Sequence, residues 1–151
     1  RRRVTPPPSR LAGERFILTY GEGVSTAALP PLLEHHDANG RLATRTAVRP
    51  PSRIGGQDLR SYGSVGFTEK PQMGEGWING GFMVIEPDVL THIGDDDVSF
   101  EADVLEGLAS ERQLTAYRHD GFWQPMDTLR DVRYLRGLWN SGEAPWVTWQ
   151  R

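Results

Sequence analysis

The sequence predicts an α/β domain built on a mixed, mostly parallel sheet. Short apolar, β-prone runs at residues 16–20, 42–48 and 82–85 alternate with helix-forming stretches. Turn-forming Gly, Asn or Pro residues follow most of these runs, and several strands end directly in charged or amide side chains. Alternation of strands and helices is typical of α/β domains, whose ligands bind outside the carboxyl ends of the strands.

Composition limits the classes of protein. A chain of 151 residues is one ordinary domain with room for a sizeable core. Its 17 Lys and Arg against 20 Asp and Glu give a net charge of −3, so no global basic field favours nucleic acid. The absence of cysteine excludes disulfides and agrees with a cytoplasmic location. No apolar run approaches membrane-spanning length, so no membrane partner is expected.

The predicted domain occupies residues 16–151. Residues 1–15 are basic and contain three consecutive prolines, which predicts an irregular lead-in. Because the chain starts without Met, we expect a fragment, a processed product or a trimmed chain.

The first predicted strand, residues 16–20, is expected to be buried, with Glu22 at its tip between two glycines. Pro30 and Pro31 are tolerated only in a first turn, so the first helix should begin near Leu29 and end at Gly40.

The run His35-His36-Asp37 lies near the end of this predicted helix. Adjacent helical side chains point in different directions and cannot converge on one ion, so we interpret this run as a solvated helix end, not a metal cluster.

Two polar segments accompany the central strands. A strand over residues 65–71 ends in Glu69-Lys70. A glycine-rich loop leads through Asn79-Gly80 into strand 82–85. A helical turn from Pro87 should follow that strand.

The C-terminal third should contain two helices and one strand. Asp95-Asp96-Asp97 more plausibly starts a helix than binds calcium, because the spaced oxygens and closing Glu of a calcium loop are missing. The first helix carries Phe100, Val104 and Leu108 on one face, and a strand over residues 114–117 follows it.

Thr128 and Asp131 should cap the last helix. That helix presents Val132, Leu135 and Trp139. The aromatic tail, with Trp146 and Trp149, should pack on the domain or on a neighbouring subunit.

Glu22 and Asp127 are the candidate metal ligands. They lie 105 residues apart, each at the end of a predicted element. Two such carboxylates suggest a shared Mg²⁺, which takes few protein oxygens and is completed by substrate phosphates. Glu69 and Lys70 suit a sugar hydroxyl and a phosphate respectively, and Asn79-Gly80 suits a small polar ligand. Together these residues predict phosphoryl or nucleotidyl transfer.

Several motifs carry a family resemblance. The segments are LTYGEGVS (18–25), GRLAT (40–44), FTEKP (67–71), GWINGGF (76–82) and YRHDGFWQPMDTLRD (117–131). They resemble the glucose-1-phosphate cytidylyltransferases, a branch of the sugar-1-phosphate nucleotidylyltransferase family. The resemblance runs from about Phe16 to the end, and its longest block is highly specific.

The resemblance implies a Rossmann-like nucleotidyltransferase sheet, incomplete at the N-terminus, in a bacterial homo-oligomer. It implies formation of CDP-glucose and pyrophosphate from CTP and glucose 1-phosphate, for surface polysaccharide synthesis. Glu22 and Asp127 would hold Mg²⁺ and Lys70 the sugar phosphate. Glu69, Asn79 and Gly80 would contact the glucose ring, and Trp123 is a further candidate for substrate binding.

The sequence departs from the family pattern in two ways. Glu22 stands where the pattern has Asp, and one extra methylene displaces the carboxylate from strict octahedral geometry. The family's N-terminal nucleotide-binding segment has no counterpart here, so we expect this chain alone to be inactive. Two alternatives remain: a noncatalytic sugar-nucleotide-binding or assembly module, and a uridylyl- or thymidylyltransferase relative.

Overall fold

The computed structural model describes residues 13–51, 76–93 and 99–148. Within these ranges a four-stranded sheet has the order β1-β4-β3-β5, with β1 at Phe16–Thr19, β3 at Ala43–Val48, β4 at Ile78–Ile85 and β5 at Leu114–His119. A two-stranded ribbon pairs β2, Gly23–Ser25, with β6, Trp123–Pro125. The helices are α1 at Leu29–Asn39, α2 at Glu106–Ser110 and α3 at Leu129–Ser141. A 3₁₀ turn at Pro87–His92 and a π-helical turn at Phe100–Leu105 lie between β4 and α2.

The four-stranded sheet is mixed, as predicted. β3 and β5 are parallel, whereas β4 runs antiparallel to both of its neighbours, β1 and β3. Within the described residues β1, β3 and β5 run in one direction and β4 runs in the other, so the prediction of a mixed, mostly parallel sheet is confirmed. The C-terminal ends of β1, β3 and β5 meet the start of β4 at one edge, which we call the carboxyl edge. The opposite end of the same strands is the amino edge.

Helix α1 has the predicted limits. It begins at Leu29 with Pro30 and Pro31 in its first turn. It ends at Gly40, whose positive φ of 56° lets its N–H bond to the His36 carbonyl oxygen. Glycine adopts this left-handed conformation without a Cβ penalty, which is why the helix stops there.

The hydrophobic core lies between the sheet and the segment that follows β4. Its buried members come from β3, β4, the 3₁₀ turn, the π-helical turn and α2: Ala43, Met83, Ile85, Val89, Phe100, Val104, Leu105 and Leu108. The predicted apolar face formed by Phe100, Val104 and Leu108 is confirmed, since all three side chains are buried. The helical turn expected from Pro87 is also confirmed.

The first strand is less buried than predicted. Side chains of β1 alternate between half-buried and exposed, and Ile17 is 37% exposed. The reason is that β1 is the outermost strand: within the described sheet it pairs only with β4. The strand nevertheless leads to Glu22 at the carboxyl edge, as expected.

The interpretation of His35-His36-Asp37 as a solvated helix end is wrong for the two histidines. His36 is 1% exposed and bonds Thr44 Oγ1 through Nδ1 at 2.7 Å and Glu86 Oε1 through Nε2 at 2.9 Å. His35 packs edge-on against Tyr117, while Asp37 reaches out to Arg15. The three side chains therefore have different partners and do not converge on one point.

Glu86 links this histidine to the start of β1. Arg15 bonds the same Glu86 oxygen, Oε1, at 2.7 Å and Asp37 at 2.6 Å. Burial raises the pKa of the Glu86 carboxyl, but hydrogen bonds from His36 and Arg15 outweigh it and lower the pKa below its ordinary value. The hydrogen bond to Glu86, followed by that to Asp37, raises the pKa of Arg15. A network of hydrogen bonds and ion pairs therefore connects α1, β3 and the segments that flank β1 and β4 at the amino edge.

The predicted cap of α3 is confirmed. Thr128 Oγ1 accepts from the Asp131 N–H, and the Asp131 carboxylate accepts from the Thr128 N–H at 3.0 Å. On the same helix Leu135 is buried, whereas Trp139 is 44% exposed, so the expected apolar stripe is only partly covered.

In the aromatic tail, Trp146 stacks on Phe122 with ring centroids 5.6 Å apart, which confirms that it packs on the domain. Trp149, the run Asp95-Asp96-Asp97 and the predicted strand over residues 65–71 lie outside the described residues. Among the helices that the structure describes, none combines the length and apolar character needed to cross a bilayer.

Candidate active site

The β2–β6 ribbon brings the backbones of the two predicted metal ligands close together. Gly23 is paired with Pro125, and the next backbone hydrogen bond runs from the Met126 N–H to the Glu22 carbonyl oxygen at 2.7 Å. Glu22 therefore lies across the ribbon from Met126, and Asp127 is the next residue. Residues 105 positions apart in the sequence are neighbours at the carboxyl edge.

These two carboxylates fit Mg²⁺ in number and kind. Glu22 is half-buried and Asp127 is exposed, so both lie where solvent and substrate oxygens can complete an octahedral shell. Among residues 13–51, 76–93 and 99–148, no group of three or more His, Cys, Asp or Glu side chains is arranged to hold a metal by itself. A site here would depend on substrate phosphates for its remaining ligands.

Asp127 is held between two fixed elements. Before it, the buried Gln124 of β6 donates from Nε2 to Asp131 Oδ1 at 3.2 Å. After it, the capping box of Thr128 and Asp131 begins α3. The helix cap thus also determines where the Asp127 backbone lies relative to the ribbon.

Trp123 joins the ribbon to the start of β4. Its indole Nε1–H donates to the Gly80 carbonyl oxygen at 2.9 Å. A Cβ on Gly23 would lie 3.5 Å from the same nitrogen and 3.8 Å from the Gly80 oxygen, so the three residues pack closely. Because the indole N–H is engaged, any contact of Trp123 with a ligand would come from its ring.

Asn79 and Gly80 form part of a bulge in β4. Between Arg45 and Ala47 of β3 the pairing shifts from Met83 to Asn79, which leaves extra residues in β4. Asn79 Oδ1 accepts from the Gly81 N–H at 3.0 Å, and Asn79 Nδ2 donates to the Tyr20 hydroxyl at 2.9 Å. The predicted polar segment is thereby fixed to the strand that leads into Glu22.

The glycines of this bulge are required by close packing. A Cβ on Gly80 would lie 2.8 Å from Val48 Cγ1, nearer than real Cβ contacts allow. Gly81 has a φ of 78°, and a Cβ there would lie 3.0 Å from the Tyr20 ring. The backbone can approach β3 and Tyr20 only because both side chains are absent.

His119 attaches the ribbon to the end of β5. Its Nε2 lies 3.2 Å from Thr26 Oγ1 and 3.4 Å from the Phe122 carbonyl oxygen. Gly121 fits between these groups, since a Cβ there would lie 2.6 Å from both His119 Cε1 and Thr26 Oγ1. Sequence reasoning gave His119 no role, because its partner Thr26 is distant in the chain.

Two groups of arginine side chains at this edge were also missed. Arg45 lies on β3 between the buried Ala43 and Ala47, and burial lowers the pKa of its guanidinium despite the opposing influence of Tyr20. Arg49 and Arg118 both lie over the ring of Trp77, with their Cζ atoms 5.0 Å and 5.6 Å from its centroid. For Arg49 and Arg118 the sequence signal was their position at the ends of strands, whereas Arg45 lies within β3.

Of the predicted site residues, the structure brings together Glu22, Asn79, Gly80, Trp123 and Asp127. Glu69 and Lys70 lie outside the described residues. The roles assigned to all seven residues stay predictions.

Comparisons with known proteins identify relatives of this chain. The chain is 46% identical over 137 residues to the glucose-1-phosphate cytidylyltransferase of Salmonella typhimurium, which covers 91% of this chain and 53% of that protein. It is 33% identical to a Bacillus subtilis protein described as a probable glucose-1-phosphate cytidylyltransferase, covering 97% of this chain and 58% of that one. The chain spans about half the length of the curated relatives it matches.

A solved structure has the same fold. It is described as a putative glucose-1-phosphate thymidylyltransferase from Bacillus anthracis in complex with sucrose, and it matches with a TM-score of 0.63 at 13% identity. The match covers 95% of this chain and 59% of that one. No protein-family model matches the sequence.

The mixed α/β sheet thus has the fold of this solved structure. On the evidence of the sequence relatives, the chain belongs to the sugar-1-phosphate nucleotidylyltransferase family. The family resemblance predicted from the motifs is confirmed.

Proposed function

We propose that this chain supplies the sugar-phosphate and metal-binding part of a glucose-1-phosphate cytidylyltransferase. The observation that carries the proposal is the β2–β6 ribbon. Its pairing puts the Glu22 backbone across from Met126, the residue before Asp127, and Trp123 links the same ribbon to Gly80. Relatives that share up to 46% of the sequence bear this name, which supports cytidylyl transfer over uridylyl or thymidylyl transfer.

The proposed reaction is an in-line displacement at phosphorus. An oxygen of glucose 1-phosphate attacks the α-phosphorus of CTP, the bond from that phosphorus to the β-phosphate bridge breaks, and pyrophosphate leaves with the electron pair. Such a reaction needs positioning and charge stabilisation more than covalent chemistry. Bound Mg²⁺ would offset negative charge on the phosphates, and Glu22 and Asp127 are the residues that would hold it.

The remaining residues would orient the sugar phosphate. Asn79 and Gly80 would contact the glucose ring, since their bulge is fixed against Tyr20 and Val48 beside the carboxylates. Glu69 and Lys70 would bind the ring and the phosphate. Cytoplasmic location, a homo-oligomeric state and a place in bacterial polysaccharide synthesis are parts of the same proposal.

A calorimetric titration of CDP-glucose into the folded chain, with and without Mg²⁺, tests this proposal. We expect saturable binding that needs Mg²⁺ and that Asp127→Asn weakens, because the variant removes one of the two negative charges that would hold the ion. Asp88→Asn is the matched control, because Asp88 is also exposed but lies in the 3₁₀ turn after β4.

Two results would contradict the proposal. Equal binding with and without Mg²⁺ would remove the metal role from Glu22 and Asp127. Mg²⁺-dependent binding by a longer protein that contains this chain, without turnover of CTP and glucose 1-phosphate, would instead favour a noncatalytic sugar-nucleotide-binding module.

A further inference from the structure

Tyr20 contacts the proposed sugar-binding segment in three ways. It lies directly after β1, and its backbone N–H donates to the Gly81 carbonyl oxygen at 3.2 Å. Its ring packs on the backbone of the same glycine, since a Cβ there would lie 3.0 Å from Tyr20 Cδ2. Its hydroxyl accepts from Asn79 Nδ2 at 2.9 Å. One residue at the end of β1 thus contacts both the backbone and the amide side chain of the bulge.

The Asn79 side chain is bonded at both of its polar atoms. Oδ1 accepts from the Gly81 N–H at 3.0 Å, and such a bond to the residue two positions on is typical of an Asx turn. A reversed amide would place Nδ2 against the Gly81 N–H, where two donors would face each other. The backbone therefore determines which way the amide is turned, and the Tyr20 hydroxyl anchors its nitrogen atom.

These two bonds use half of the hydrogen-bonding groups of the amide. A side-chain amide has two N–H donors on its nitrogen and two lone pairs on its oxygen. Beyond the bonds to Tyr20 and Gly81, Asn79 has one N–H and one lone pair. A sugar hydroxyl donates and accepts, so it matches this pair of groups. Asn79 is half-buried, which suits a residue that contacts a ligand at the carboxyl edge.

The Tyr20 hydroxyl limits rotation of this amide. The last torsion of an asparagine side chain has a broad energy minimum, so an amide bonded only at Oδ1 can turn about its Cβ–Cγ bond. The second bond, to Tyr20, restricts that rotation. Hydrogen bonds weaken steeply when they are misaligned, and a group already held in place loses less entropy on binding. Removal of the hydroxyl should therefore weaken recognition of a sugar hydroxyl.

We propose that Tyr20 is a positioning residue for sugar recognition: its hydroxyl holds the Asn79 amide in the orientation that binds a hydroxyl group of the sugar. This inference rests on the proposed function, because it takes Asn79 as a residue that contacts the glucose ring. It adds that the site selects for a sugar hydroxyl at one ring position, and that this selectivity depends on a residue that acts through Asn79.

The test compares CDP-glucose with four analogues, each of which lacks one hydroxyl, at position 2, 3, 4 or 6 of the glucose. Calorimetric titration into the folded full chain, with Mg²⁺ present, gives the affinity for each ligand. For wild type we expect at least one analogue to bind about tenfold more weakly than CDP-glucose, the effect of losing one hydrogen bond at a half-buried site. The ratio of the two affinities measures the selectivity for that hydroxyl.

Variants assign this selectivity to the two residues. Tyr20→Phe keeps the ring on Gly81 but removes the hydroxyl, and it should reduce the ratio to about threefold or less. Asn79→Ala removes the amide and should abolish the ratio, and adding Tyr20→Phe to it should cause no further change. A purely structural role of the hydroxyl would lower all the affinities by one factor and leave the ratio unchanged.

Tyr117→Phe is the matched control. Tyr117 is also half-buried on the sheet, but its ring packs against His35 of α1. Its loss of a hydroxyl should leave the ratio at the wild-type value. Circular dichroism checks that each variant is folded.

The outcomes separate this inference from the function on which it rests. A ratio that survives Tyr20→Phe or Asn79→Ala would overturn the positioning role. Equal affinities of wild type for CDP-glucose and all four analogues would overturn it as well. In both cases Mg²⁺-dependent binding of CDP-glucose would still support the proposed function. If CDP-glucose does not bind to the folded wild-type chain, the proposed function fails and this inference fails with it.

Discussion

The two ends of the central sheet are built on different principles. At the amino edge, polar groups bond to one another: the buried His36 and Thr44, the half-buried Glu86 and the exposed Arg15 form one chain of contacts. At the carboxyl edge, glycines and aromatic rings position the backbone, while charged groups such as Asp127, Arg49 and Asp120 are exposed. The contacts at the first edge are those of a structural network, whereas the second edge is the proposed ligand site.

This comparison predicts that substitutions at the two edges affect different measurements. At the amino edge they should lower the free energy of unfolding with little direct effect on ligand affinity. At the carboxyl edge they should change ligand affinity more than stability, except where a glycine is needed for packing.

Glu86→Gln should have the largest effect on stability. It removes the charge that accepts from His36, which is 1% exposed, and from Arg15. A hydrogen bond to a charged group is worth about 2 kcal/mol, so we expect a loss of that size in urea unfolding. Glu111→Gln, in an exposed pair with His92, is the control and should cost less than about 0.5 kcal/mol.

The same carboxyl predicts a pH dependence. The pKa of the Glu86 carboxyl is lowered in the folded chain, so this carboxyl binds a proton more tightly when the chain is unfolded. The stabilisation is complete above the ordinary glutamate pKa and is lost as pH falls through the lower folded value. Stability measured over this acidic range should decline less steeply in Glu86→Gln, and parallel curves for the two proteins would contradict the network's role.

Gly80→Ala should combine both kinds of effect. Its Cβ would lie 2.8 Å from Val48 Cγ1 and 3.3 Å from the Thr46 carbonyl oxygen, so β3 or the bulge must shift. Overpacking of this kind costs about 1–3 kcal/mol. CDP-glucose affinity should fall as well, since the bulge is displaced from Trp123. Gly107→Ala in α2, where a Cβ meets nothing within 4 Å, should not destabilise the chain.

Trp123→Phe should affect the carboxyl edge selectively. It keeps an aromatic ring but removes the N–H that donates to the Gly80 oxygen. One neutral hydrogen bond contributes about 1 kcal/mol to stability. We expect a loss of that size together with weaker CDP-glucose binding in calorimetry. An unchanged affinity would show that the ribbon and the bulge are positioned independently of this bond.

Glu22→Asp should change the free energy of unfolding least, but it should change the affinity for Mg²⁺. The shorter side chain restores the family pattern, and Mg²⁺ is strict about octahedral distances, so Mg²⁺ affinity should rise. Unfolding free energy should stay within about 0.5 kcal/mol, as for most surface substitutions. A lower Mg²⁺ affinity would mean that the surrounding structure is adapted to glutamate at this position.

The sequence predicts those parts of the fold that depend on residues close together in the chain. Pro30 in a first turn and Gly40 in a left-handed conformation limit α1, and Thr128 with Asp131 caps α3. Each signal lies within a few residues of its effect. The apolar face of Phe100, Val104 and Leu108 is likewise local, because its spacing is that of one helix.

The parts that sequence did not predict depend on distant partners. The β2–β6 ribbon has strands of three residues each, too short for a periodic pattern, and it joins segments about 100 residues apart. The burial of His36 depends on Glu86, which is 50 residues further along the chain. Sequence reasoning could name Glu22 and Asp127 as candidate ligands, because each lies at the end of a predicted element. The proximity of their backbones could not be predicted, because it depends on the β2–β6 ribbon.

The central claim is that Glu22 and Asp127 hold the same Mg²⁺. A double-mutant cycle tests it most directly: Mg²⁺-dependent CDP-glucose affinity is measured by calorimetry for wild type, Glu22→Gln, Asp127→Asn and the double variant. Groups that bind one ion are coupled, so we predict that the double variant loses little more affinity than Asp127→Asn alone. Losses that add up fully in the double variant would show that the two carboxylates act independently, and would contradict the shared site.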